Sequence, residues 1–252
     1  MKADSFGYLS LHYICYLTPE MGYSESICYK KFEIQIRTNL QHTWSAIEHD
    51  LGYKSEFGVP RVVVRQFARL AGLLELADDE FVRIRSRMQD YTEEIRKKIA
   101  LGCADDVLID IISLEEYVKN NRDMRNFLDE LAAICDWGNG PAEISEVSVD
   151  AYIPQLQWLG ITTIGDLQRM LSENRKDALK LARRALESTD FDILSSSIGL
   201  RYLCRALLLS KGYTTEQLVT FFEISAGNKK RAQRMATELS NSVHLLTDGG
   251  EK

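Results

Sequence analysis

The chain has 252 residues, enough for one large or two modest domains with buried cores. With 45% hydrophobic residues, 27% charged residues and only 4 prolines, it is excluded from the disordered and collagen-like classes and reads as globular and helix-rich. A formal charge of −6 argues against coating nucleic acid through the overall field, and no apolar run reaches the ~20 residues of a membrane helix.

Residues Leu9 to Leu17 (LSLHYICYL) and Tyr29 to Thr38 (YKKFEIQIRT) alternate with period two and are rich in β-branched and aromatic residues, which predicts two strands. Between them, Thr18 to Ser26 (TPEMGYSES) supplies the Pro, Gly and Ser of a hairpin connection. In the second strand Phe32, Ile34 and Ile36 share one face, and Glu33, Gln35 and Arg37 share the other. From Leu40 to Leu51 the period changes to about 3.6, with Leu40, Trp44, Ile47 and Leu51 on one stripe and His42, Glu48 and His49 off it.

After the Gly58 to Pro60 break, Arg61 to Ala100 reads as one long amphipathic helix, its stripe running through Val64, Phe67, Leu70, Leu74, Ala77, Phe81, Ile84, Met88, Tyr91 and Ile95. Forty helical residues span ~60 Å, so the expectation is a protrusion or a kink near Gly72 or at 77–79. Shorter helices are expected at 105–120, 122–135, 150–159, 164–171, 175–187, 191–211, 215–224 and 228–244, with Thr215 and Asp190 as caps. The Trp137 to Pro141 stretch is the densest turn signal and the expected domain boundary.

The 5 cysteines form no C-x-x-C pair, and no histidine stands at metal-ligand spacing, so a structural zinc site is not expected. Apolar contexts such as YICYL and AAICDW suit buried reduced thiols. Together with an N-terminus lacking a basic-then-apolar signal, they make the cytoplasm the expected address.

The chemistry-bearing residues gather early. Gly7 permits close backbone approach to a ligand, and Tyr8 offers a ring for base stacking. Ser10 and His12 alternate on one strand face. Glu33, Gln35 and Arg37 can hold a metal ion or a hydroxyl nucleophile against a phosphate. The same spacing also fits a cross-face ion pair on a solvated sheet, with Tyr8 and His12 as edge aromatics.

Gly7-Tyr8-Leu9-Ser10-Leu11-His12, the unbroken EIQIRT of Glu33 to Thr38 and LQHTWSAIEHDLGYK of Leu40 to Lys54 stand in the order and spacing of the RelA/SpoT-type synthetases. The helical patterning predicts an α+β, predominantly α fold, with a long helix and helical extension (59–136) and a helical domain of unassigned role (142–252). For 1–58 the resemblance implies the partial mixed β-sheet of a nucleotidyltransferase-like synthetase domain, its acceptor-nucleotide part. It further implies transfer of pyrophosphate from ATP to the 3′-hydroxyl of GTP or GDP. Tyr8 would stack on guanine, and Ser10 and His12 would lie by the acceptor nucleotide. Glu33 would ligand Mg²⁺ or activate the 3′-hydroxyl, Gln35 and Arg37 would position the acceptor, and His49 and Lys54 would assist. In the family an Arg/Lys-rich ATP segment and a metal-binding aspartate stand upstream of the tyrosine. Here Met1 to Phe6 lead straight into it, so the expectation is an acceptor half that is inactive alone, with its open sheet edge covered in a homo-oligomer such as a dimer, or by another element.

Two other readings stand beside this one: a non-enzymatic nucleotide-sensing or protein-interaction module, and a toxin-like relative acting on another nucleotide or on the 3′ end of tRNA. Leu156 to Leu171 has the rhythm of a helix-hairpin-helix, a motif that can offer backbone amides to nucleic-acid phosphates. Scarce Lys and Arg favour plain packing there. Lys229, Lys230, Arg231 and Arg234 form the sharpest basic cluster, expected as a solvated helix face.

Overall fold

The computed structural model describes residues 10–53, 60–136, 138, 140–187 and 191–243. It is α+β and predominantly α, and it divides into two compact units, Met1–Met88 and Gln89–Lys252.

In the first unit, β1 (Leu11–Cys15) and β2 (Phe32–Ile36) form an antiparallel pair in the register Leu11↔Ile36 to Cys15↔Phe32. The turn-forming stretch between them contains a 3₁₀ turn, Pro19–Met21, closed by Gly22 at φ +80°. Tyr29 enters the left-handed region at φ 60° and stacks on Tyr16, with ring centroids 6.4 Å apart. Helix α1 (Asn39–Tyr53) follows β2 directly. Its start is fixed by a reciprocal pair: the Thr38 N–H donates to Gln41 Oε1 at 3.0 Å and the Gln41 N–H to Thr38 Oγ1 at 3.1 Å, the logic of a capping box.

Helix α2 (Arg61–Ala100) is unbroken through Gly72 and through 77–79, where a kink was one expectation. Its early turns pack on α1 through Trp44, which is buried, lies edge-on to Phe67 at 6.3 Å and donates its indole N–H to the Phe67 carbonyl at 3.2 Å. Cys28 and Trp44 are the buried hydrophobic residues among the described part of this unit.

The second unit holds the main core. The last turns of α2 bury Ile95 and Ile99, and α3 (Ile111–Asn120) and α4 (Arg122–Ala133) add Leu114, Tyr117, Phe127 and Leu131. After β3 (Glu143–Ser145) come α5 (Ile153–Trp158), α6 (Ile164–Leu186), β4 (Ile193–Ser195), α7 (Ile198–Ser210), α8 (Thr215–Ala226) and α9 (Lys229–Ser240). Strands β3 and β4 pair in parallel, Glu143↔Ile193 to Ser145↔Ser195.

Several sequence expectations need correction. The helix expected from Asp105 begins at Ile111, because Asp110 and Ser113 form a capping box and the preceding backbone pairs with 162–164 instead. The two helices expected at 164–171 and 175–187 are one, since Asn174 donates to the Met170 carbonyl at 2.9 Å and stays buried in the helix. The segment expected as helix from Phe191 first makes β4, and Thr214 rather than Thr215 caps α8. Asp190 lies outside the described residues. Cys28, Cys135 and Cys204 are buried, whereas Cys15 is half-buried and Cys103 exposed. Among the described residues no helix is long and apolar enough to cross a membrane.

Candidate functional site

The antiparallel register places His12 opposite Gln35, and strand alternation then puts Ser10, His12, Glu33, Gln35 and Arg37 on a single sheet face. Their side chains form a continuous network. His12 Nδ1 bonds Glu33 Oε1 across the strands, and Gln35 Nε2 donates to the other carboxylate oxygen, Oε2, at 3.0 Å. Arg37 donates through three nitrogens: Nε to Ser10 Oγ at 3.4 Å, Nη1 to Ser45 Oγ at 3.3 Å, and Nη2 to Gln35 Oε1.

The Gln35 amide, and after it His12, hold the Glu33 carboxyl below the usual carboxylate range. An ionised acceptor bridged to an imidazole, with a guanidinium four residues along the same strand face, is a wall that can hold a hydroxyl beside an anionic group. The opposite face is apolar: Leu11, Tyr13, Phe32, Ile34 and Ile36 project there and remain exposed. Sheet and helices are tied at the end of the wall, where Thr38 Oγ1 donates to Asp78 Oδ2 of α2 at 2.6 Å.

Five residues expected from sequence, Ser10, His12, Glu33, Gln35 and Arg37, are thus brought together. His49 lies one turn beyond Ser45 on α1, on the same helix face. Tyr8 and Lys54 lie outside the described residues, as does Gly7. Sequence reasoning missed Ser45 and Asp78, and the Thr-x-x-Gln signature at Thr38 to Gln41 could have located the start of α1. As for Mg²⁺, Glu33 offers one carboxylate with both oxygens already engaged, and the described residues contain no cluster of three or more His, Cys, Asp or Glu able to hold a metal. Among the described residues of this face, Glu33 is the one carboxylate that could serve a divalent ion.

In the second unit, the segment compared with a helix-hairpin-helix buries Leu156, Leu159, Ile164, Leu167 and Leu171. Several amides at its helix start are engaged locally, among them the Ile164 N–H on the Val107 carbonyl. Thr162 and Thr163 N–H groups donate to Asp166 Oδ2 at 3.1 and 3.0 Å, and Thr163 Oγ1 accepts from the Asp166 N–H. Lys229, Lys230, Arg231 and Arg234 are exposed on α9.

Residues 1–58 match the family model for the region found in RelA / SpoT proteins. Comparisons with curated proteins and with solved structures give no match.

Proposed function

From the match of residues 1–58 to the region found in RelA / SpoT proteins, we propose that the chain is a RelA/SpoT-type family member and that its Ser10–Arg37 wall is the acceptor side of a pyrophosphate transfer from ATP to the 3′-hydroxyl of GTP or GDP. The network linking His12, Glu33, Gln35, Arg37 and Ser45 carries the reading. In the reaction the 3′-oxygen bonds to the β-phosphorus as the bond from that phosphorus to the α–β bridging oxygen breaks and AMP leaves. Glu33 takes the hydroxyl proton, with His12 fixing the carboxylate, while Gln35 and Arg37 hold the acceptor ribose and phosphates. Tyr8 would supply the stacking surface for guanine, with His49 and Lys54 as helpers in nucleotide binding. Catalysis of this kind is positional and electrostatic. Mg²⁺, for which Glu33 would be the protein ligand, would supply neutralisation of phosphate charge.

Titration of GDP and GTP into the full chain, followed by a transfer assay with ATP and Mg²⁺, tests the proposal. Glu33→Gln is expected to keep guanine-nucleotide binding and abolish transfer. Absence of binding by the unaltered chain would sink the reading. A second reading, nucleotide binding without transfer, draws on the small cationic content of the described wall, where His12 and Arg37 are the basic groups. Binding with no transfer under any nucleotide pair selects it.

A further inference from the structure

Within the first unit, α2 carries apolar residues at Phe67, Leu70, Leu74, Ala77, Phe81, Ile84 and Met88, alternating steps of three and four over three heptads. This is the spacing that seats one helix against another. The early part of the stripe has its partner in α1, through Phe67 against Trp44. From Glu80 to Asp90 every residue of α2 is exposed, including Phe81 at 63%, Ile84 at 50% and Met88 at 55%. Three helical turns with an exposed apolar stripe constitute a seam.

We propose that this seam is an antiparallel contact between two copies of the chain, with the twofold axis between Phe81 and Ile84. The sequence is self-complementary about that point. Phe81 faces Ile84 of the second copy, and the small Ala77 faces the long Met88. In heptad terms Phe81 and Met88 occupy a and Ala77 and Ile84 occupy d, so Glu80 and Arg87 both occupy g. Antiparallel pairing brings g against g, which sets Glu80 of each copy beside Arg87 of the other. Within its own helix Glu80 pairs with Arg83 on an exposed surface, a contact of small worth that a partner can displace. A symmetric dimer of this type uses the same patch twice.

Sedimentation of the full chain across a micromolar concentration series is expected to show conversion from 28.8 kDa to twice that mass. Phe81→Glu is expected to remove the heavier species without altering helicity by circular dichroism, because Phe81 is exposed in the single chain. Glu80→Arg and Arg87→Glu should each weaken self-association, since each sets like charges in apposition. Mixing the two variants should restore the doubled mass, because every facing pair is then opposite in sign. A chain that stays at 28.8 kDa throughout, or a dimer indifferent to Phe81→Glu, would overturn the proposal. Failure of the mixture to recover would overturn the antiparallel arrangement.

Discussion

His12 on β1 and Glu33 on β2 are joined across the sheet by one hydrogen bond, and the second oxygen of Glu33 is taken by the Gln35 amide. The carboxylate is therefore oriented from both sides and kept ionised into acid. A carboxyl whose folded value is depressed contributes stability above its unfolded value and loses it as the pH falls through the folded value. Because Glu33 is exposed, this contribution is small and the titration itself is the better readout. Gln35→Leu removes the leading cause of the depression. Carbon-detected NMR titration of the carboxyl should show the Glu33 midpoint rising toward the ordinary value of about 4.3; an unmoved midpoint would count against control by the amide.

Trp44 is the large buried side chain of the first unit and joins α1 to α2 through a ring contact and an indole hydrogen bond. Trp44→Ala should cost about 3–5 kcal/mol locally. Released from α2, α1 no longer holds Ser45 against Arg37. Hydrogen exchange is expected to accelerate in α1 and in the first turns of α2 while the amides of α6 and α7 stay protected.

Two helical glycines make a controlled comparison. A Cβ at Gly165 would stand 2.8 Å from the Asp105 Cα and carbonyl oxygen, which are backbone atoms of a paired segment. At Gly199 it would meet the Met124 methyl at 2.7 Å, the end of a flexible side chain. Gly165→Ala should destabilise by about 1–3 kcal/mol through overpacking. Gly199→Ala should cost less, because Met124 can turn aside. Chemical denaturation of the two variants, with the opposite ranking as the refuting result, decides between them.

Asp166 titrates near 2: desolvation pushes it up, but the Thr162 and Thr163 N–H groups, the Thr163 hydroxyl and Arg169 bring it down further. With its folded value below its unfolded one, it stabilises the second unit above about pH 4 and loses that contribution as the pH drops toward 2. Replacing Asp166 with Ala should cost about 1 kcal/mol at neutral pH and flatten the acid limb of the unfolding profile. An unchanged acid limb would show that other carboxylates govern it.

The hairpin, α1 and the reactive wall were legible because their patterns are local. Glu33, Gln35 and Arg37 declare a shared face by alternation alone, and Trp44 declares the buried side of its helix. What was hidden depends on distant partners. Residues 105–109 carry no strand pattern of their own and stay out of the helix by exchanging backbone bonds with 162–164: the Ile109 N–H donates to the Thr162 carbonyl and the Ile164 N–H to the Val107 carbonyl. Ser172 to Asn174 resemble a helix break until Asn174 is seen bonding the preceding turn. Strands β3 and β4 have three residues each, too few for periodicity to register.

The parallel pairing of β3 with β4 also sets an order of events during synthesis. Glu143 leaves the ribosome 50 residues ahead of Ile193, its ladder partner, as their numbers show. At roughly 5–20 residues per second, β3 waits about 3–10 s for its mate. Throughout that interval α5 and α6 emerge without α8 and α7, the later helices that pack on them, so the second unit closes only once the chain beyond β4 is clear of the exit tunnel. A pause in translation between the two strands lengthens the exposure of the α6 apolar face, which makes codon choice over 146–192 a lever on yield that leaves the finished protein unchanged.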